Sequence, residues 1–160
     1  MSSSLAVHNG DLFLSRGGFA TVTNSSKLVQ DLRLALLESR GFDDMHPEFG
    51  SLLDGGLDQY GNYVNSTIGE TNWSFIAMTV EGEIRRVAKE HQVKQLQRSK
   101  NDRLTLGRST LDPGELLLEI QSIRMVQAQD SLSVNVTLIT GSDQEISLDI
   151  PITNQPIITN

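Results

Sequence analysis

Between Asp31 and Leu53 an apolar helix pattern stops and turns at once into a compact corner. Leu32-Arg33-Leu34-Ala35-Leu36-Leu37-Glu38 runs out at Ser39-Arg40-Gly41, and Phe42 to Leu53 follow with Pro47, Phe49-Gly50 and Leu52-Leu53 among them. Proline fixes φ, and glycine admits backbone angles that other residues avoid. A helix that ends at glycine, then a proline, then an aromatic-glycine pair before two leucines, describes a chain folded back on itself. It does not describe a flexible linker. Whatever fold this chain takes must place a helix, a tight corner and a new apolar segment within some twenty residues.

The segments on either side set the fold class. Asp11–Ser15 and Phe19–Thr23 are short apolar runs separated by Arg16-Gly17-Gly18, a spacing that predicts an N-terminal β-hairpin, with residues 1–8 as an extended tail. Asn24-Ser25-Ser26 offers helix-capping side chains ahead of a helix over Lys27–Arg40, with Leu28, Leu32, Ala35 and Leu36 on one face and Gly41 as its C-cap. Asp54–Gly69, rich in Gly, Asn and Asp, reads as an irregular connection. Trp73, Ile76, Ala77, Val80, Ile84, Val87, His91 and Val93 recur at helical steps, which predicts a second helix from about Thr71 to Arg98 with Trp73 as a core anchor.

Asp112-Pro113-Gly114 is a turn signal that opens a β half. Leu116, Leu118 and Ile120 alternate, then Ile123 and Met125 take the other parity, so a bulge is expected near Gln121-Ser122. Leu132, Val134, Val136 and Leu138 alternate cleanly, as do Ile146, Leu148, Ile150 and Ile152 after the hairpin loop Thr140–Gln144. Pro151 places the last strand at a sheet edge, and Thr153–Asn160 is an extended tail. No internal repeat is read. The expected architecture is a single α+β domain over residues 1–160: an N-terminal β-hairpin, then two main helices packed on a small antiparallel C-terminal β-sheet.

Composition narrows the function. A formal charge of −7 opposes general binding to nucleic acid, and the absence of cysteine excludes disulfides and thiolate chemistry. No apolar run reaches the length of a membrane span, and Met1–His8 has no signal-peptide pattern, so the chain reads as made in the cytoplasm. His8, His46 and His91 lack metal-ligand spacing, and Asp43, Asp44, His46 and Glu48 read as a solvated turn; no cofactor or metal is expected. Gly-x-Ser-x-Gly and phosphate-loop patterns do not occur, and nothing selects a pair of carboxylates such as Glu38 with Asp43 or Asp44 for hydrolysis. The basic stretch Arg85, Arg86, Lys89, Lys94, Arg98, Lys100 and Arg103 is interleaved with acids and reads as a solvated or partner-facing helix end. What remains is a binding protein: a small sheet has edges that must be covered or used, and a partner strand is one way to use them.

The order of hairpin, Gln30-Asp31-Leu32 helix with Leu36-Leu37, Pro47-x-Phe49-Gly50-x-Leu52-Leu53 corner, second helix and β meander resembles the small baseplate wedge proteins of contractile phage tails and related injection machines. Asn9-Gly10-Asp11-Leu12 and Gly17-Gly18-Phe19 are similar to the family's opening, and the likeness runs from about Asn9 to Ile152. Where some members carry Glu-Pro-Arg, this chain has Asp112-Pro113-Gly114, so the arginine's contact does not carry over. The family's lysozyme-like label finds no support in these carboxylates. The resemblance implies a virion structural protein of the tail baseplate and not an enzyme. Its partners would be the larger wedge proteins and the tail sheath protein, with tail tube or hub proteins as further neighbours, in six copies per baseplate. Leu132, Val134, Val136, Leu138, Ile146, Leu148 and Ile150 would lie on sheath-docking strands, and Arg85, Arg86, Lys89 and Lys94 on a wedge-facing helix. Two other classes compete: an anti-adaptor-like bacterial regulator that shares the fold, and a peptidoglycan hydrolase.

Overall fold

A computed structural model describes residues 3–8, 11–15, 18–66, 72–127 and 131–153. Its centre is a three-stranded antiparallel meander, β10 (Leu117–Gln127), β11 (Ser131–Thr140) and β12 (Glu145–Thr153), with β11 in the middle. Alternation puts Leu132, Val134, Val136 and Leu138 of β11 and Leu148, Ile150 and Ile152 of β12 on one face, all buried. The helices α1 (Asn24–Leu37) and α2 (Trp73–Leu106) cover that face with Leu28, Leu32, Ala35 and Leu36 from the first and Ile76, Val80, Ile84, Val87 and Ala88 from the second. Each large side chain so buried contributes about 1.5–3 kcal/mol. The mixed α+β fold, with helices on an antiparallel sheet, is therefore the one expected from the sequence.

Several details differ. α1 spans Asn24–Leu37 and not Lys27–Arg40; its cap is Glu38, whose N–H donates to Leu34 O. The helix stops early because Ser39–Arg40 become a strand, β7, paired parallel with β8 (Ser51–Leu57). The expected irregular stretch after Leu53 thus contains most of β8, and β9 (Tyr63–Val64) pairs with it. Glycine hid this strand from the sequence pattern: Gly56 has φ +138, and a Cβ there would lie 2.5 Å from Arg40 O.

The N-terminal region is more than one hairpin. Leu14–Ser15 (β4) does pair with Gly18–Phe19 (β5), although the turn residues Arg16 and Gly17 lie outside the described residues. Thr21–Thr23 (β6), however, pairs with Ser3–Leu5 (β1), and Val7–His8 (β2) pairs with Asp11–Leu12 (β3). Residues 3–8 are accordingly strands and not a tail. The three ladders meet where Ala6 N–H donates to Ala20 O, Phe13 N–H to Ala6 O and Ala20 N–H to Phe13 O, at 2.8–2.9 Å. The junction residues recur every seven positions, a short repeat the sequence reading missed.

α2 starts behind Asn72, whose Oδ1 accepts from Ser74 N–H and Phe75 N–H, and runs eight residues past the expected Arg98. The anticipated start, Thr71, lies outside the described residues. Trp73 is 37% exposed and Val93 46%, so neither anchors the core. Beyond Ala88 only Gln95 is buried, and the last turns carry Leu96, Leu104 and Leu106 into solvent. In β10 the expected bulge falls between Ile120 and Ser122, but a second register shift between Leu117 and Glu119 makes Leu117, not Leu116 or Leu118, the buried leucine. The tail Asn154–Asn160 is outside the described residues.

Leu32→Ala is expected to lower unfolding free energy by about 2–5 kcal/mol, whereas Leu96→Ala should change it by less than about 0.5 kcal/mol. Urea unfolding of the two variants measures the contrast; equal losses would mean that the far end of α2 is packed in solution.

Candidate functional site

The corner begins where α1 ends. Asp43 organises the turn: its carboxylate accepts from Met45 N–H at 2.9 Å and lies 3.1 Å from His46 Nδ1. Those bonds, the one from Met45 first, hold its pKa below the usual carboxylate value. The acidic cluster is thus turn chemistry, with Asp44, Pro47 and Glu48 exposed. Phe49 then packs against the core, with the Lys94 ammonium 5.4 Å from its ring centroid. At Gly50, buried with φ +97, a Cβ would sit 2.6 Å from Glu38 O, so no other residue fits without moving the helix end. Ser51 finishes the turn: its N–H donates to Glu38 O at 2.8 Å and its hydroxyl to Leu36 O at 2.6 Å.

Two side chains of α2 hold this segment by its backbone. Leu52 N–H donates to Glu83 Oε2 at 2.9 Å, and Arg86 Nη2 donates to Gly50 O at 2.8 Å. Arg86 also donates to Glu83 and, through Nη1, to Glu90 Oε1 at 2.7 Å. Burial alone would raise the Glu83 pKa and lower that of Arg86, yet mutual pairing wins for both: Glu83 is held down and Arg86 up. Sequence reasoning took Arg86 for a partner-facing residue and the glutamates for its solvated neighbours. It missed the clamp, for which the only signal was position on the flank of Val80, Ile84 and Val87.

Beside the corner lies a cleft of about 270 Å³ between α1 and α2, bordered by Asp31, Phe49, Glu90, His91 and Lys94. Its polar groups are already paired, mostly within their own helices. Asp31 pairs with Lys27, and Glu90 with Arg86. His91 Nε2 is 3.0 Å from Gln95 Nε2. The Gln95 amide is oriented by its other bonds, from Leu117 N–H to its oxygen and from its nitrogen to Glu115 O. His91 Nε2 therefore accepts, which is the neutral imidazole. Burial lowers its pKa, and Lys27 and Lys94 add to that against the opposing pull of Asp31.

The remaining expected residues separate into two groups. Leu132, Val134, Val136, Leu138, Leu148 and Ile150 point into the core, with Ile146 packed at its rim. β11 is bonded on both sides, which removes it as a strand that could accept a partner. On α2, Arg85 pairs with Glu81, Arg86 is turned inward, and Lys89 and Lys94 are exposed. From Arg85 to Arg108 there are eight Lys and Arg against Glu90 and Asp102. Both acids are engaged, Glu90 by Arg86 and Asp102 by the Thr110 hydroxyl and N–H. That end of the helix presents a basic surface.

The outer strands β10 and β12 end the sheet. Next to β12 runs a groove of about 960 Å³, lined by Val29, Arg33 and Leu37 of α1 with Phe42, Asp149 and Pro151. Among the described residues, no group of three or more His, Asp or Glu converges as metal ligands would, and no helix is long and apolar enough to cross a membrane. No protein-family model, curated protein or solved structure matches the chain.

Removing Arg86 leaves a largely buried Glu83 carboxylate and the Gly50 carbonyl short of a donor, so Arg86→Ala should cost about 2–4 kcal/mol in urea unfolding. Arg85→Ala, with its exposed pair, should cost less than about 1 kcal/mol. Because the folded state keeps His91 below its ordinary value of 6.5, the unfolded chain takes up the proton first. The stability this neutral histidine contributes is present above that value and lost as pH falls through the depressed one. Wild type should lose more stability than His91→Leu on acidification from about pH 7 to 5; parallel losses would show that His91 is not the group responsible.

Proposed function

We propose that this chain is a structural component of a contractile tail baseplate, joining the larger wedge proteins to the first ring of sheath through helix packing and β-strand addition. The observation that carries the reading is the sheet. Its helix-facing side is filled by the chain's own α1 and α2, so what it offers outward is an outer strand with backbone groups that pair with nothing described. Affinity from such an edge comes from main-chain hydrogen bonds and needs no reacting side chain. The clamped corner supports the same reading, because it ties together α1 and α2, the two helices that cover the sheet. So does the basic outer half of α2, with Lys89, Lys94 and Lys100 exposed, as are Leu96 and Leu104, a surface suited to an acidic or amphipathic helix of a wedge protein. The likeness of order from Asn9 to Ile152 to small wedge proteins supports the choice of this assembly.

Deleting the whole last strand would not test this, since Leu148, Ile150 and Ile152 are core and the chain would unfold. Particles produced without the chain are the direct test. They should carry no attached sheath in electron micrographs, and lysine cross-linking of complete particles should join Lys89, Lys94 or Lys100 to a wedge protein. Normally sheathed particles from a strain that lacks the chain would overturn the reading.

A further inference from the structure

The two outer edges of the sheet are not equivalent, and Pro151 shows which backbone groups each presents. In an antiparallel ladder, opposed residues alternate between pairs that exchange both hydrogen bonds and pairs that exchange none. Pro151 has no N–H, so its pair with Ser133 belongs to the second kind. Alternation then turns the N–H and C=O of Ser147, Asp149 and Thr153, and the C=O of Pro151, outward from β12. The Arg33 guanidinium agrees, since Nη2 donates to Asp149 O at 3.0 Å from outside the sheet. On the other side of β11, Ser133, Asn135 and Thr137 must pair with Val126, Arg124 and Ser122. Ile123, Met125 and Gln127 therefore turn their N–H and C=O outward from β10.

The β12 edge is interrupted twice within three residues, by the occupied carbonyl of Asp149 and the missing donor of Pro151. A strand laid in the groove beside it would meet a broken ladder. β10 is sealed only at its start, where Gln92 donates to Leu117 O and Leu118 O and Gln95 accepts from Leu117 N–H. Past the bulge, nothing described bonds to the outward groups of Ile123, Met125 and Gln127.

We infer that this β10 edge is the seat of an extended segment of a partner chain, and that the segment carries an acidic side chain opposite Arg124. The inference rests on the reading of the sheet as a joint made by strand addition. Arg124 is exposed on the solvent face of β10, forms no ion pair among the described residues, and is the only Lys or Arg between Ser109 and Asn160, a stretch otherwise charged only by acids. A residue directly across an added ladder lies about 5 Å away, close enough for a carboxylate to pair with the guanidinium. Val126, 68% exposed on the same face, calls for an apolar side chain two positions along that segment.

The test complements a particle-producing strain that lacks the chain with Gln127→Pro, Arg124→Glu or Ser147→Pro. Gln127→Pro removes one outward donor from β10, and Ser147→Pro removes one from β12; neither breaks a main-chain bond to β11, and Ser147→Pro also deletes the hydroxyl that accepts from Asn135 Nδ2. Thermal unfolding of each purified variant checks its fold, and Arg124→Glu, on the solvent face, carries the test if Gln127→Pro melts early. Gln127→Pro and Arg124→Glu should reduce the sheathed fraction of particles roughly tenfold or more, the effect of ~1.4 kcal/mol at the joint, while Ser147→Pro stays near wild type. Loss with Ser147→Pro alone overturns the edge assignment and leaves the joint standing. No loss with any of the three overturns strand addition itself. If the free protein sediments as a dimer that Gln127→Pro converts to monomer, a second copy is the occupant and the partner segment proposed here is rejected.

Discussion

Two hydrogen bonds, from Leu52 N–H to Glu83 and from Arg86 to the Gly50 carbonyl, fasten the corner to α2. An exposed Glu–Arg pair three residues apart on a helix is worth only a few tenths of a kcal/mol. Here the same pair is mostly shielded from water, and each member also satisfies a main-chain group of another element. Releasing it would strand polar groups in place, which is where large costs arise. The corner is attached to α1 by Ser51 and to α2 by the clamp, so the two helices are joined where the turn runs into β8.

That arrangement explains what could be read in the sequence. Leu28, Leu32 and Leu36, Val80, Ile84 and Val87, and the alternations Leu132–Leu138 and Leu148–Ile152 each follow one period over several turns or residues, and each lies where its period places it. Gly50 was legible as a corner residue because the proline and aromatic before it left few other roles. The clamp was not, since Glu83 and Arg86 look the same on a solvated face as on a buried flank. β8 was hidden by Gly55-Gly56, whose value is the close approach of another backbone, not strand propensity. The three-way junction at Ala6, Phe13 and Ala20 was hidden because its strands are two or three residues long, too short for any period to show.

Of the surfaces read as functional, the sheet needed the larger revision. Alternation finds the strands but says nothing about their order, and order decides which strand has a free side. Once β11 is central, the residues most visible in the sequence are the least available to a partner. The available groups belong to β10, the strand whose pattern is broken by two register shifts. A regular strand advertises its core face; an irregular one is easier to overlook and here carries the open edge.

α2 links these features mechanically. It clamps the corner at Glu83 and Arg86, and about nine residues further on, some 13 Å along its axis, it bonds the first residues of β10 through Gln92 and Gln95. Near its far end Asp102 binds Thr110, tying the return loop to the helix. A continuous helix bends little over such a distance, so a load applied to its basic outer half reaches β10 through two glutamine amides and reaches the corner through one ion pair. For a joint of the kind proposed, the helix that meets one partner and the strand that meets the other are thus connected by hydrogen bonds to backbone, which give less under load than contacts between flexible side chains. Gln95 is the residue on which that connection converges: its amide bonds β10, the Glu115 carbonyl and His91 together, and it is the one buried residue of α2 past Ala88.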